Sequence, residues 1–98
     1  MTNLAKFRGV ATKAIHHTSG MIVGIYHDTT VAEKQQNNIR LDTGGWQTNT
    51  TKTRMNQFSN EFCGGAFYVY QKNFDWFVRL ADGTELPFTH RVIEFEVK

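Results

Sequence analysis

Residues 44–52, GGWQTNTTK, place two glycines, several hydroxyls and a lysine at the start of a predicted helix. Free N–H groups and the helix dipole at such a terminus favour an anion, so a phosphate cradle is one chemistry on offer. The spacing differs from that of the nucleotide-binding P-loop, which needs a second glycine directly before Lys-Ser/Thr. A tight turn followed by a helix cap accounts for the same residues. A second group lies on the helix. With its apolar stripe turned inward, Asn56, Gln57 and Asn60 are expected to face solvent, flanked by Lys52 and Arg54. Amides pair with adenine and arginine with guanine, so this face suits groove reading as well as plain solvation. No preceding helix completes a helix-turn-helix. A third group, Tyr68, Tyr70 and Phe77 with Arg79, shares one side of a predicted hairpin. It offers a stacking platform for unpaired bases or the centre of a protein interface. Covered by the N-terminal segment, with Leu86 and Phe88 on the same side, it becomes a second core face instead.

The remaining reactive side chains form no recognisable constellation. His16 and His17 point opposite ways if they lie on a strand, and His27-Asp28 has no third partner in view. Cys63 is the sole cysteine, which excludes an intramolecular disulfide and a cysteine-based zinc site. It reads as a buried structural thiol, since no base accompanies it. Asp28, Asp42 and Glu61 have no evident pairing for acid–base work. The expectation is a binding protein rather than an enzyme, with no cofactor or metal required.

The elements that position these groups follow from periodicity. Thr48, Thr50 and Thr51 are candidate caps for a helix over residues 51–62, because a hydroxyl accepts from the open N–H groups of a first turn. Thr51, Met55, Phe58 and Phe62 form its apolar stripe, and Gly64-Gly65 ends it. Its Asn, Thr and Ser content makes it a poor helix in isolation, so it should depend on packing against a sheet. Residues 21–26 read as a strand whose Gly24 marks a bulge or a close backbone approach. His27-Asp28 turns the chain. Residues 29–33 and 38–42 read as strands about the polar connection 34–37, suited to a sheet edge.

Residues 66–81 read as a hairpin. With Lys72-Asn73 as its loop, Val69 faces Trp76 and Phe67 faces Val78; a one-residue slip would exchange the two faces. Asp82-Gly83 is a stronger turn, and Pro87 limits the next strand to an edge or a break. Residues 91–97 alternate, with Ile93, Phe95 and Val97 inward. Residues 4–15 fit either helix or strand, since Gly9 interrupts a helical spacing. The resulting fold class is α+β: one amphipathic helix packed on a curved antiparallel sheet of about five or six strands.

Ninety-eight residues predict one domain, 1–98, with a modest core in which thirteen per cent aromatic content should dominate. The net charge of +2 is too small to argue for nucleic acid or membrane. Residues 1–60 carry seven Lys/Arg against three acids, and residues 61–98 carry four against six, a mild polarity. The longest apolar run, residues 21–26, is far too short to span a bilayer.

The stretches 26–31 (YHDTTV), 39–48 (IRLDTGGWQT) and 50–57 (TTKTRMNQ) are similar to short accessory proteins of tailed bacteriophages. Val69-Tyr70-Gln71 and Asp75-Trp76-Phe77-Val78 continue the likeness, which covers about residues 22–88. The resemblance implies a phage origin and a bacterial host cytoplasm, and it transfers no activity or site. With the aromatic surplus, it predicts binding to a host protein, as a modulator or inhibitor of host defence or transcription, or self-association such as a homodimer. The alternatives are nucleic-acid binding through Lys52, Arg54, Asn56, Gln57 and the aromatic platform, or a structural role in the virion. Nucleotide sequestration is the narrower form of the cradle reading.

Overall fold

A computed structural model describes residues 7, 9 and 11–97. Five strands form one antiparallel sheet: β1 (Thr12–His16), β2 (Ile22–Tyr26), β3 (Thr29–Gln35), β4 (Asn38–Asp42) and β8 (Val92–Glu96), in spatial order β1-β2-β3-β4-β8. Between β4 and β8 the chain inserts α1 (Asn49–Phe62) and a second antiparallel sheet of β5 (Phe67–Lys72), β6 (Asp75–Leu80) and β7 (Glu85–Pro87). Among the described residues the fold is α+β with one helix, as its pattern predicts, and eight strands divide between two sheets. Within the segment 4–15, residues 4–6, 8 and 10 lie outside the described residues, and the part from Thr12 onward is strand.

Tight turns explain the meander. His27 and Asp28 adopt φ of 51° and 64°, the left-handed pair that matches the twist of a two-residue hairpin. Asn73 and Phe74 do the same at 53° and 71°, so the β5–β6 loop is Asn73-Phe74 rather than Lys72-Asn73. Asparagine tolerates that conformation better than lysine, which moves the loop along by one residue. Val69 consequently pairs with Val78 and Phe67 with Leu80. This register slides one strand by two positions, so each side chain keeps its predicted face.

β3 and β4 are interior strands, not an edge: β2 flanks one and β8 the other. Their polar residues mark a solvated outer face instead. There Arg40 lies 3.7 Å from Glu33 and 3.6 Å from Glu94, across both neighbouring strands.

The opposite face of the five-stranded sheet is covered by α1 and the smaller sheet lying side by side. Met55 and Phe58 of α1 are fully buried, together with Ile39, Leu41, Val69 and Val78 from the two sheets. Phe67 meets Phe95 edge-on at 5.4 Å, joining the sheets. Gly24 serves both of its predicted purposes. The β2–β3 register shifts beside it, and a Cβ there would come within 2.8 Å of Phe58 and 2.9 Å of Phe7. Phe7 therefore packs edge-on against Phe58, with centroids 5.7 Å apart, over bare backbone.

Thr48 is the helix cap, its Oγ1 accepting from Thr51 N at 3.2 Å. The helix begins at Asn49, two residues before its predicted start. At the other end Gly64 and Gly65 both have positive φ, and Gly65 N–H donates to the Ser59 carbonyl at 2.9 Å.

Candidate functional site

The nine residues singled out by sequence divide into two groups of different fate. Asn56 and Gln57, expected to face solvent, are buried at 5% and 1% exposure. For Asn56 the cause is β5, an edge strand whose outward backbone groups need partners. Asn56 Nδ2 donates to the Val69 carbonyl at 2.9 Å, while its Oδ1 accepts from Val69 N at 2.7 Å. One turn further on, Ser59 Oγ donates to the Phe67 carbonyl at 2.6 Å and accepts from Phe67 N at 3.2 Å. Two side chains of α1 thus stand in for a missing neighbouring strand. Arg54 is also engaged internally: it donates to Thr12 Oγ1 at 2.9 Å and Gln57 Oε1 at 3.1 Å, and lies over the Tyr26 ring at 5.6 Å. These three residues are thus engaged within the chain rather than displayed together on a solvent-facing surface. Asn60 remains exposed.

The second group holds together. Tyr68 stacks on Tyr70 at 6.2 Å and Tyr70 on Phe77 at 5.7 Å, forming an aromatic ladder on the outer face of the three-stranded sheet. Arg79 lies 4.9 Å over the Tyr70 ring and 4.0 Å from Glu85, so it stiffens the ladder and has its charge balanced beside it. Tyr68 is 51% exposed, and Tyr70 and Phe77 are partly open. Lys52 reaches the rim, donating to Gln71 Oε1 at 3.1 Å, and shares a shallow groove with Tyr68 and Tyr70. The reading as a second core face needs correction. Leu86 pairs with Val78, and Phe88 packs edge-on against Trp76, both on the inner side. Phe7, the first described residue, lies against the five-stranded sheet.

Two aromatics escaped the sequence reading. Phe74, at the tip of the β5–β6 hairpin, is 92% exposed and held at positive φ, where a glycine would be unstrained. Its signal was Asn73, a better first turn residue than Lys72. Trp46 is 67% exposed and borders a cavity of about 480 Å³ between the β2–β3 turn, the 43–46 loop and the start of α1. Only packing reveals that cavity, because its walls come from three separate stretches.

The loop that carries Trp46 is anchored by Asp42. This carboxylate accepts from Gly44 N at 2.7 Å and from Arg91 Nε at 2.8 Å. Burial pushes its pKa up, but the bonds from Arg91 and Gly44 and the charges of Arg91 and Arg40 outweigh it, holding the group below its ordinary value. Asp42 is therefore an ionised staple. Burial pushes the Cys63 thiol up to about 11, which leaves little thiolate at neutral pH. Among the described residues no cluster of three His, Cys, Asp or Glu is placed to hold a metal, and no helix is long and apolar enough to cross a membrane.

No curated protein and no solved structure matches the chain. Residues 1–96 match the family described as Kyanoviridae Gp96 protein, a phage protein family, a span wider than the stretches that first suggested a phage origin. The chain belongs to the Kyanoviridae Gp96 protein family.

Proposed function

We propose that this phage-family protein acts by binding a host protein, and so modulating it, through the outer face of the three-stranded sheet. The observation that carries the reading is the open ladder of Tyr68, Tyr70 and Phe77. Stiff aromatic side chains with an adjacent arginine are what well-packed interface centres are made of, because they bury much area at small entropic cost. Phe74 extends the apolar surface at the hairpin tip. Charge favours a protein over a nucleic acid. Arg79 is balanced by Glu85, and Lys72 pairs in register with Asp75. Among the described residues that leaves Lys52 at the rim as the one cation in excess, a weak attraction for a phosphate backbone. The internal contacts of Asn56, Gln57 and Arg54 weigh against the helix as a groove reader as well.

The test compares the wild type with Tyr68→Ala/Tyr70→Ala and with Asn60→Ala in crosslinked capture from host lysate, followed by reconstitution with the purified partner. The reading expects one partner that the double variant loses and the Asn60 variant keeps. Equal capture by all three proteins would overturn it, as would a gel shift with single-stranded DNA or RNA at low salt that the double variant abolishes. Concentration-dependent dimerisation through the same face, with no partner recovered, would replace the host protein by a second copy.

A further inference from the structure

We infer that the cavity beside Trp46 is a second binding site, one that takes an uncharged heteroaromatic ring of the nucleobase class. At about 480 Å³ it falls within the range of small-molecule sites, roughly 300–1,000 Å³. Its apolar walls are Tyr26, Val31 and Trp46, two of them aromatic and suited to a flat ring. The hydroxyl-bearing residues Thr29, Thr43, Thr48 and Thr51 also line it, together with His27. A hydroxyl offers one donor and two acceptor positions, so those of Thr43 and Thr48 keep capacity beyond the bonds they already make within the loop and cap. A purely apolar ring would leave these groups unmatched; a ring with polar edges would not. Among the described residues no Lys, Arg, Asp or Glu lines the cavity, and His27 is its one basic side chain, so a phosphate finds no lysine or arginine to bind there. The glycine-threonine stretch that suggested an anion cradle borders a chamber that, among the described residues, no Lys or Arg lines.

The geometry of the loop is the second support. Thr43 N donates to the Arg91 carbonyl, Gly45 N to Thr43 Oγ1 and Trp46 N to the Thr43 carbonyl, all at 2.9–3.2 Å. Gly44 has φ of 66°, and a Cβ on it would come 2.7 Å from Thr29 Cγ2, so the loop is pressed onto the start of β3. A loop pinned this firmly has little freedom left to lose when a ligand binds. It nevertheless displays a tryptophan two-thirds exposed, where burial would have been the favourable use of that side chain.

Isothermal titration and NMR shift mapping with adenosine, guanosine, cytidine and thymidine test the inference. At least one nucleoside should bind saturably in the millimolar range or tighter, shifting resonances of Tyr26, Thr29 and Trp46. Trp46→Ala should weaken it at least tenfold, and Thr29→Val, which removes a hydroxyl at constant volume, by about threefold or more. Tyr68→Ala, on the other sheet, should leave it unchanged, which separates this site from the protein-binding face. The matching 5′-monophosphate should bind no tighter than the nucleoside. No saturation with any of the four, equal binding by Trp46→Ala and Thr29→Val, or binding of the nucleotide alone would overturn the inference.

Discussion

Along its edge β5 is closed by the polar side chains of α1, whereas on its outer face it leaves Tyr68 and Tyr70 open to solvent. Hydropathy alone suggests the reverse, amides outside and aromatics inside. The contrast arises because a strand edge must satisfy its backbone groups before hydropathy is served. Asn56 carries a donor and an acceptor at the spacing of a peptide group, so it fits that edge where a leucine could not. No described element lies over the outer face, and its aromatics stack on one another instead. Polar residues here hold the fold, and apolar ones are left at the surface.

The strongest way to break this comparison is Asn56→Ala, which leaves both Val69 backbone groups buried without partners. It should lower unfolding stability by about 2–4 kcal/mol in urea titrations, since each orphaned group forfeits a hydrogen bond and its hydration. A loss below about 1 kcal/mol would show that α1 does not close the edge. Ser59→Ala removes the neighbouring pair of bonds and should cost about 1–3 kcal/mol by the same measurement.

Asp42→Asn tests a third polar anchor and should cost about 1–2 kcal/mol at neutral pH. Because the folded pKa lies below the ordinary 3.8, the stabilisation is complete above that value and is lost as pH falls through the folded pKa. Wild type should therefore lose stability with acid more steeply than the variant in that window, as thermal melts at stepped pH would register.

The aromatic side of the comparison predicts smaller effects of different sign. Phe74→Gly relieves a left-handed backbone and should raise stability by about 1 kcal/mol while weakening partner capture. A fall in stability would mean that Phe74 packs within its own chain. Tyr68→Ala should change stability by under about 0.5 kcal/mol, as chemical denaturation can check, because its ring is half in water.

Much of the scaffold was legible from local signals. The stripe Thr51, Met55, Phe58, Phe62, the stop at Gly64-Gly65 and the alternation of residues 91–97 each report a single element's period. Even the mistaken hairpin loop kept its faces right, since the error amounted to an even shift of register. The candidate site was legible only in part. Tyr68, Tyr70, Phe77 and Arg79 came together because neighbours on a two-stranded ribbon follow from alternation. Asn56 and Gln57 were misread because their burial depends on β5 and on Arg54, which periodicity within one helix does not register.

The chain's own chemistry determined where turns and elements lie: positive φ at asparagine and glycine, a threonine cap, and period-two or helical spacing of apolar groups. Those are interactions among near neighbours, and a linear pattern carries them. Which polar groups would be enclosed, which aromatics left outside, and that Tyr26, Thr29 and Trp46 would surround one chamber depended on β8 returning to β4 with α1 laid along β5. Backbone groups on an edge strand pair with any donor or acceptor of the right shape, and only three-dimensional packing selects the residue that supplies it.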